Sequence, residues 1–281
     1  MNDTVQLGHE PAEHYDRVTG AWRLLLGEEL HYGVFESGDE PLQVATAALT
    51  GQMVAAAELR PGLDVLDVGC GTGAPACALA SAHGVHVVGI TTSQVGVDAA
   101  RLRAAGLAGR ASFELRDGTD NGFADATFDR VWVLESSHLM PDRVALLCEC
   151  ARVLRPGGRL VLCDITRQRE IPFQEVLRRR LEFATLRDAF GEARMEPLGY
   201  YAELAQRSGL DVQELRDLTQ RTLPTFDRWR ANAAEHDAEV RVALGADGLD
   251  AFVRSCDILE GFWRDGTLGY GLISAVKRDV V

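Results

Sequence analysis

Residues 65–73, VLDVGCGTG, constrain this chain more than any other stretch. A short apolar run ends in glycine at positions 69, 71 and 73, and PACALASAHG (75–84) then reads as a helix stopped by Gly84. Glycine at alternate positions lets the backbone turn tightly and approach a ligand with no Cβ in the way. The helix N-terminus beyond the turn offers free N–H groups and partial positive charge.

The same rhythm continues downstream. HVVGI (86–90), ASFELRD (111–117), FDRVWVLES (128–136) and RLVLCDI (159–165) read as strands. Helical patterns run between them from about Ser93 to Gly106 and over 141–158, the latter stopped by Pro156-Gly157-Gly158. LDVQELRDLT (210–219) and GYGLISAVK (269–277) supply two further strands, with a helix at 198–209 before the first. The alternation predicts an α/β fold, a doubly wound, Rossmann-like, seven-stranded and mostly parallel sheet with helical cap elements. Residues 1–60 read as an N-terminal helical cover, with helices over 11–26 and 41–59. Residues 61–281 read as the main domain, with cap insertions at about 168–196 and 224–246. Helices in these segments have no strand to pair with in this scheme and are expected over the carboxyl ends of the strands, where open sheets bind ligands.

Composition narrows the partners. Of 281 residues 46% are hydrophobic, enough for a two-sided core, and the net charge of −13 disfavours a phosphate backbone or anionic membrane. Cys70, Cys77, Cys148, Cys150, Cys163 and Cys256 show no zinc-ligand spacing, so no metal is expected and the thiols read as small core hydrophobes. The first ten residues lack a basic and apolar leader pattern, and no apolar run approaches the roughly 20 residues that span a bilayer. A cytoplasmic protein is the expectation.

Three readings of the glycine turn compete: a structural turn, a dinucleotide fingerprint, and another nucleoside site. The spacing is G-x-G-x-G rather than G-x-G-x-x-G, and Asp67 sits two residues before the first glycine. In this, DVGCGTG resembles the first motif of class I S-adenosylmethionine-dependent methyltransferases. RDGTD (116–120), FDRVWVLES and LRPGGRLVLCD (154–164) continue the likeness in order. It implies that Asp67, Gly69, Gly71 and Gly73 surround the methionine and ribose of the cofactor. One position departs from the common pattern: the second strand runs into GITTSQ (89–94) with no acid for the ribose. That variant is similar to cyclopropane fatty acid synthases, sterol and tocopherol methyltransferases and natural-product enzymes. The likeness implies that Thr92 and Gln94 face the ribose, and that Asp117, beside Gly118, accepts from the adenine amino group. HYGVF (31–35) resembles the segment that covers the methionine end in that group, which implicates His31, Tyr32 and Gly33 together with Tyr15.

Methyl transfer to a hydroxyl needs a base, because a neutral alcohol attacks poorly. His138, just past the fourth strand in ESSHLMPD (135–142), is the candidate, with a side chain able to take a proton near neutrality. Asp164, ending the adjacent strand, is placed to orient it, and Glu135 is a third catalytic candidate or a structural acid. The pair resembles the rebeccamycin-type sugar O-methyltransferases, which often carry two adjacent histidines where Leu139 follows a single one here. Both residues also admit a capping role. Among the other histidines, His14 and His31 could line an acceptor pocket. Arg178-Arg179-Arg180 reads as an exposed helix face or a site for an anionic acceptor, and the cap aromatics Phe173, Phe183, Phe190, Tyr200, Tyr201, Phe226 and Trp229 as core or as walls for an apolar one. The implied partner is a small-molecule acceptor, with a homodimer left open and no nucleic acid or integral membrane. C-methylation, a non-catalytic cofactor-binding protein and, more remotely, metal-assisted or pericyclic chemistry on this fold are the alternatives.

Overall fold

The computed structural model describes residues 20–278. Residues 20–26 are helical, followed by α1 (Leu42–Ala57), β1 (Asp64–Val68), α2 (Ala74–His83), β2 (His86–Thr91), α3 (Gln94–Ala104), β3 (Ala111–Leu115) and β4 (Phe128–Leu134). Then come α4 (Arg143–Val153), β5 (Leu154–Arg167), α5 (Phe173–Arg178), α6 (Arg180–Phe190), α7 (Leu198–Arg207) and β6 (Leu210–Asp217). The chain closes with α8 (Thr219–Thr222), α9 (Thr225–Glu235), α10 (Asp237–Arg264) and β7 (Leu268–Lys277).

The seven strands form one sheet in the order β3-β2-β1-β4-β5-β7-β6, parallel except for β7, which runs against both of its neighbours. Helices cover both faces, so the central strands are buried without alternation, as in Leu160–Cys163. The strand order reverses between β1 and β4, and a crevice opens there at the carboxyl ends of the strands.

Two expectations fail in instructive ways. The helix read over 141–158 ends at Val153: Leu154 is extended at φ −68 and ψ 138, and Pro-Gly-Gly lies inside the first part of β5. Proline disfavours helical backbone at the residue before it, so Arg155 stays extended and Leu154 pairs with Phe128 across an irregularity in β4. Helix α1, expected over the strand ends, packs on the face of the sheet against β5 and β7. Leu49 and Met53 bury their side chains in that contact. The Arg130 guanidinium from β4 also fastens the C-terminus of α1 by donating to the Ala57 and Glu58 carbonyls. The cap over the crevice is therefore built from residues 20–26, α6, α9 and α10, the last kinked at Gly245.

Candidate active site

The β1–α2 turn makes the cradle. Gly69 has φ +80, and a Cβ there would lie 2.2 Å from that of Ser136, so only glycine lets β1 and the loop after β4 approach this closely. The N–H groups of Gly69 and Cys70 donate to the Ile90 carbonyl at 2.8 and 3.0 Å, which fixes the turn to the end of β2. Gly71, at φ +52, has open space where a side chain would begin: a Cβ there would meet no atom within 4 Å. A cavity of about 480 Å³ lies beyond, lined by Gly69, Gly71, Thr92, Asp117, Gly118 and Glu135 among others. Ser93 caps α3 by accepting from the Gly96 N–H at 2.9 Å. Asp117 accepts from the N–H and hydroxyl of Thr119, both at 2.8 Å.

Asp67 is buried just short of the cradle, and burial lifts its carboxyl to about 7. No hydrogen bond to that carboxyl exists among the described residues. Gly73 caps α2 and packs on Ala100 and Phe113 rather than lining the cavity. Gln94 turns outward, donating to Asp98 at 2.8 Å.

The chemistry-bearing side chains meet where β4 and β5 end. His138 sits in a single 3-10 turn, Ser137–Leu139, directly after β4. Its Nδ1 lies 2.6 Å from Asp164 Oδ1. Asp164, fully buried, also accepts from the His138 N–H at 3.1 Å, the Ile165 N–H at 2.8 Å and the Ser137 hydroxyl. Burial alone would lift the Asp164 carboxyl, but the His138 charge and these donors hold it below its ordinary value. An ionised carboxylate only accepts, so Nδ1 carries the hydrogen and Nε2 keeps a free lone pair. For His138 burial works toward the neutral form, yet Asp164 outweighs it and raises the imidazole pKa.

Glu135 adopts the left-handed backbone at φ +48, uncommon outside glycine. Its carboxylate accepts from the Tyr32 N–H at 2.8 Å and from the Tyr270 hydroxyl. Burial pushes it up to about 7 against the pull of His31 and these donors. The HYG segment thus buttresses Glu135. The His31 ring is buried between the Tyr32 carbonyl and Glu29, the Tyr32 ring stacks on Trp263, and the Gly33 N–H donates to Thr225 at 3.1 Å. None of the three lines the glycine-side cavity. Tyr15 and His14 lie outside the described residues.

A second cavity of about 500 Å³ shares Leu30 and Glu135 with the first. His138 opens onto it, and the walls are mostly apolar, including Trp22, Phe183, Phe190, Met195 and Trp229. Tyr201 and Phe226, by contrast, are core, and Phe173 is exposed. Arg178–Arg180 lie off both cavities, with Arg179 paired to Glu182 and Asp265 and seated on the Phe262 ring. Among the described residues no cluster of His, Cys, Asp or Glu could hold a metal, and no helix is long and apolar enough to cross a membrane. Ser137, Tyr201 and Tyr270 join the site without a motif to announce them. Ser137 adjoins His138, but its partners lie far along the chain.

A parallel sheet with a glycine cradle at its switch point, and a second apolar cavity across a shared wall, defines an enzyme that brings a nucleoside cofactor to a small molecule. Residues 66–162 match the family described as Methyltransferase domain. The chain is 38% identical over 221 residues to Methyltransferase GfsG of Streptomyces halstedii, covering 77% of this chain and 78% of that protein. It is 34% identical over 283 residues to 27-O-demethylrifamycin SV methyltransferase of Amycolatopsis mediterranei, covering 96% and 98%. Among solved structures it is similar to the [4+2]-cyclase SpnF, with TM-score 0.81, 25% identity and coverage of 96% and 95%. The chain belongs to the class I methyltransferases and is an S-adenosylmethionine-dependent enzyme.

Proposed function

We propose that this enzyme methylates an oxygen of a small, largely apolar specialised metabolite, with His138 accepting the proton of the acceptor hydroxyl. The observation that carries the reading is the His138–Asp164 pair, 2.6 Å apart, with the imidazole opening onto an apolar cavity that shares a wall with the glycine cradle. The relative named 27-O-demethylrifamycin SV methyltransferase supports oxygen as the acceptor atom. A cavity of about 500 Å³ suits a small-molecule acceptor.

The residues fit S-adenosylmethionine. Asp67 offers a buried carboxyl in want of donors, and Gly71 leaves open space beside the cavity where any other residue would place a Cβ. Gly69, Gly71 and Gly118 would hold the cofactor by backbone approach, with Thr92 and Asp117 at its nucleoside end. Gly73, His31, Tyr32 and Gly33 act at one remove, by packing or by holding Glu135, while Gln94 faces outward onto Asp98. When bound, the cofactor supplies a methyl group on a cationic sulfur. Glu135, on the wall common to both cavities, would offer its carboxyl to that cationic group. His138 Nε2 takes the acceptor proton, while Asp164 fixes the tautomer and steadies the imidazolium. The cap excludes water. The six free cysteines suit a reducing compartment, in line with a cytoplasmic enzyme.

The test is a screen of hydroxylated polyketides and terpenoids for S-adenosylhomocysteine release. For an acceptor that turns over, His138→Ala should lower kcat by about 10²–10⁴. Unchanged turnover of that variant over pH 6–9 would discard His138 as base. The likeness to a [4+2]-cyclase favours one second reading, ring closure on the same fold. It requires product with no S-adenosylhomocysteine formed.

A further inference from the structure

Asp164 and His138 are not an isolated pair. The Ser137 hydroxyl, fully buried, donates to Asp164 Oδ2, and that uses its only hydrogen. Tyr201 on α7, also fully buried, has its hydroxyl 2.8 Å from Ser137 Oγ. Tyr201 must therefore be the donor, and Ser137 receives one hydrogen bond and passes one on. The Arg143 guanidinium, at the start of α4, borders the Tyr201 hydroxyl and also donates to the His138 carbonyl at 3.0 Å. Both hydroxyl donors, Tyr201 to Ser137 and Ser137 to Asp164, run toward the carboxylate. The relay ties α7 and α4 to the ends of β4 and β5.

We propose that Ser137 and Tyr201 are positioning residues that set the basicity of His138 by sharing the charge of Asp164. The proposal rests on His138 being the base. A buried carboxylate with histidine as its sole partner would hold the imidazolium tightly and leave it a poor base near neutrality. Donors on Oδ2 draw charge away from Oδ1, so His138 sheds its proton more readily. Bonds in such a chain polarise one another, so Tyr201 strengthens the donor that Ser137 presents. The other charged groups facing the imidazole are Glu135 from its own loop and Arg143 from α4. Arg167, Arg187, Glu192 and Arg194 line the same cavity. None of these touches Ser137.

The experiment needs no acceptor. Full-length enzyme labelled with ¹³C-histidine is titrated by NMR, and the His138 signal is assigned by its loss in His138→Gln. Ser137→Ala should raise the His138 midpoint by about one pH unit, and the isosteric Tyr201→Phe should raise it by a smaller amount. With an acceptor in hand, the acid limb of kcat/KM should move by the same amounts. Midpoints unchanged in both folded variants would overturn the proposal, because a packing role for Tyr201 moves stability and not the titration. If Ser137→Ala does not fold, Tyr201→Phe decides alone. An unaltered acid limb in His138→Gln would instead remove the base reading, a result separate from the NMR midpoint.

Discussion

Asp164 does two jobs that one substitution separates. Its charge stabilises an imidazolium, and its acceptor-only character dictates which imidazole nitrogen bears hydrogen. Asp164→Asn keeps the size and most of the buried contacts. It can present an N–H toward Nδ1, however, and that places the imidazole hydrogen on Nε2 and removes the lone pair facing the acceptor cavity. Turnover is expected to fall by about 10²–10⁴. Raising the pH should give no recovery, because the fault is the tautomer and not the charge. Cofactor affinity by calorimetry should stay near wild type, since Asp164 lines neither the cradle nor its cavity. A variant whose activity returns at alkaline pH would show that charge, not hydrogen placement, is what Asp164 supplies.

At the scale of elements, the β1–α2 turn predicts different fates for two neighbouring glycines. Gly69→Ala forces a Cβ to within 2.2 Å of Ser136 Cβ, between two parts of the chain that cannot separate without breaking the β1–β4 contact. That variant should lose several degrees of melting temperature together with cofactor binding. Gly71→Ala meets no atom within 4 Å, so its stability cost is the left-handed backbone alone, about 1–2 kcal/mol. Its methyl group would project beside the cofactor cavity, and calorimetry should show at least a tenfold (~1.4 kcal/mol) loss of affinity. Equal destabilisation in the two would contradict the close approach seen at Gly69. This turn is legible from the sequence because its geometry demands glycine at fixed positions. The parallel strands are legible because burial on both faces leaves apolar runs. His138 and Asp164 can be brought together because they end neighbouring strands. Pro156 misleads because a proline that stops a helix and a proline inside a strand irregularity look alike locally. Tyr201 on Ser137 and Tyr270 on Glu135 are beyond reach, being contacts across 64 and 135 residues with no periodic signal.

Across the whole molecule, the cofactor site is held at a cost to stability that pH can reveal. Asp67 ionises near 3.8 when the chain is unfolded but at about 7 when buried and ligand-free. A carboxyl whose folded value is raised lends stability that is complete below the unfolded value and is lost as pH climbs through the folded one. Glu135, also lifted to about 7, acts in the same direction from 4.5 upward. Asp164 works oppositely, because its lowered value gives stability that is lost only on acidification. The ligand-free enzyme should thus soften between about pH 4 and pH 7, while the Asp164 pair stays intact. Asp67→Asn cannot ionise and removes the larger of the two raised groups. Melting curves should show it more stable than wild type at pH 8, by up to a few kcal/mol, with the advantage gone by pH 4. The same variant should bind S-adenosylmethionine poorly, so the wild type regains the lost stability only when the cofactor is present. An asparagine variant less stable than wild type throughout pH 5–8 would show that the buried carboxyl has a partner that stabilises its charge, and Asp67 would then be a structural acid and not a group kept for the cofactor.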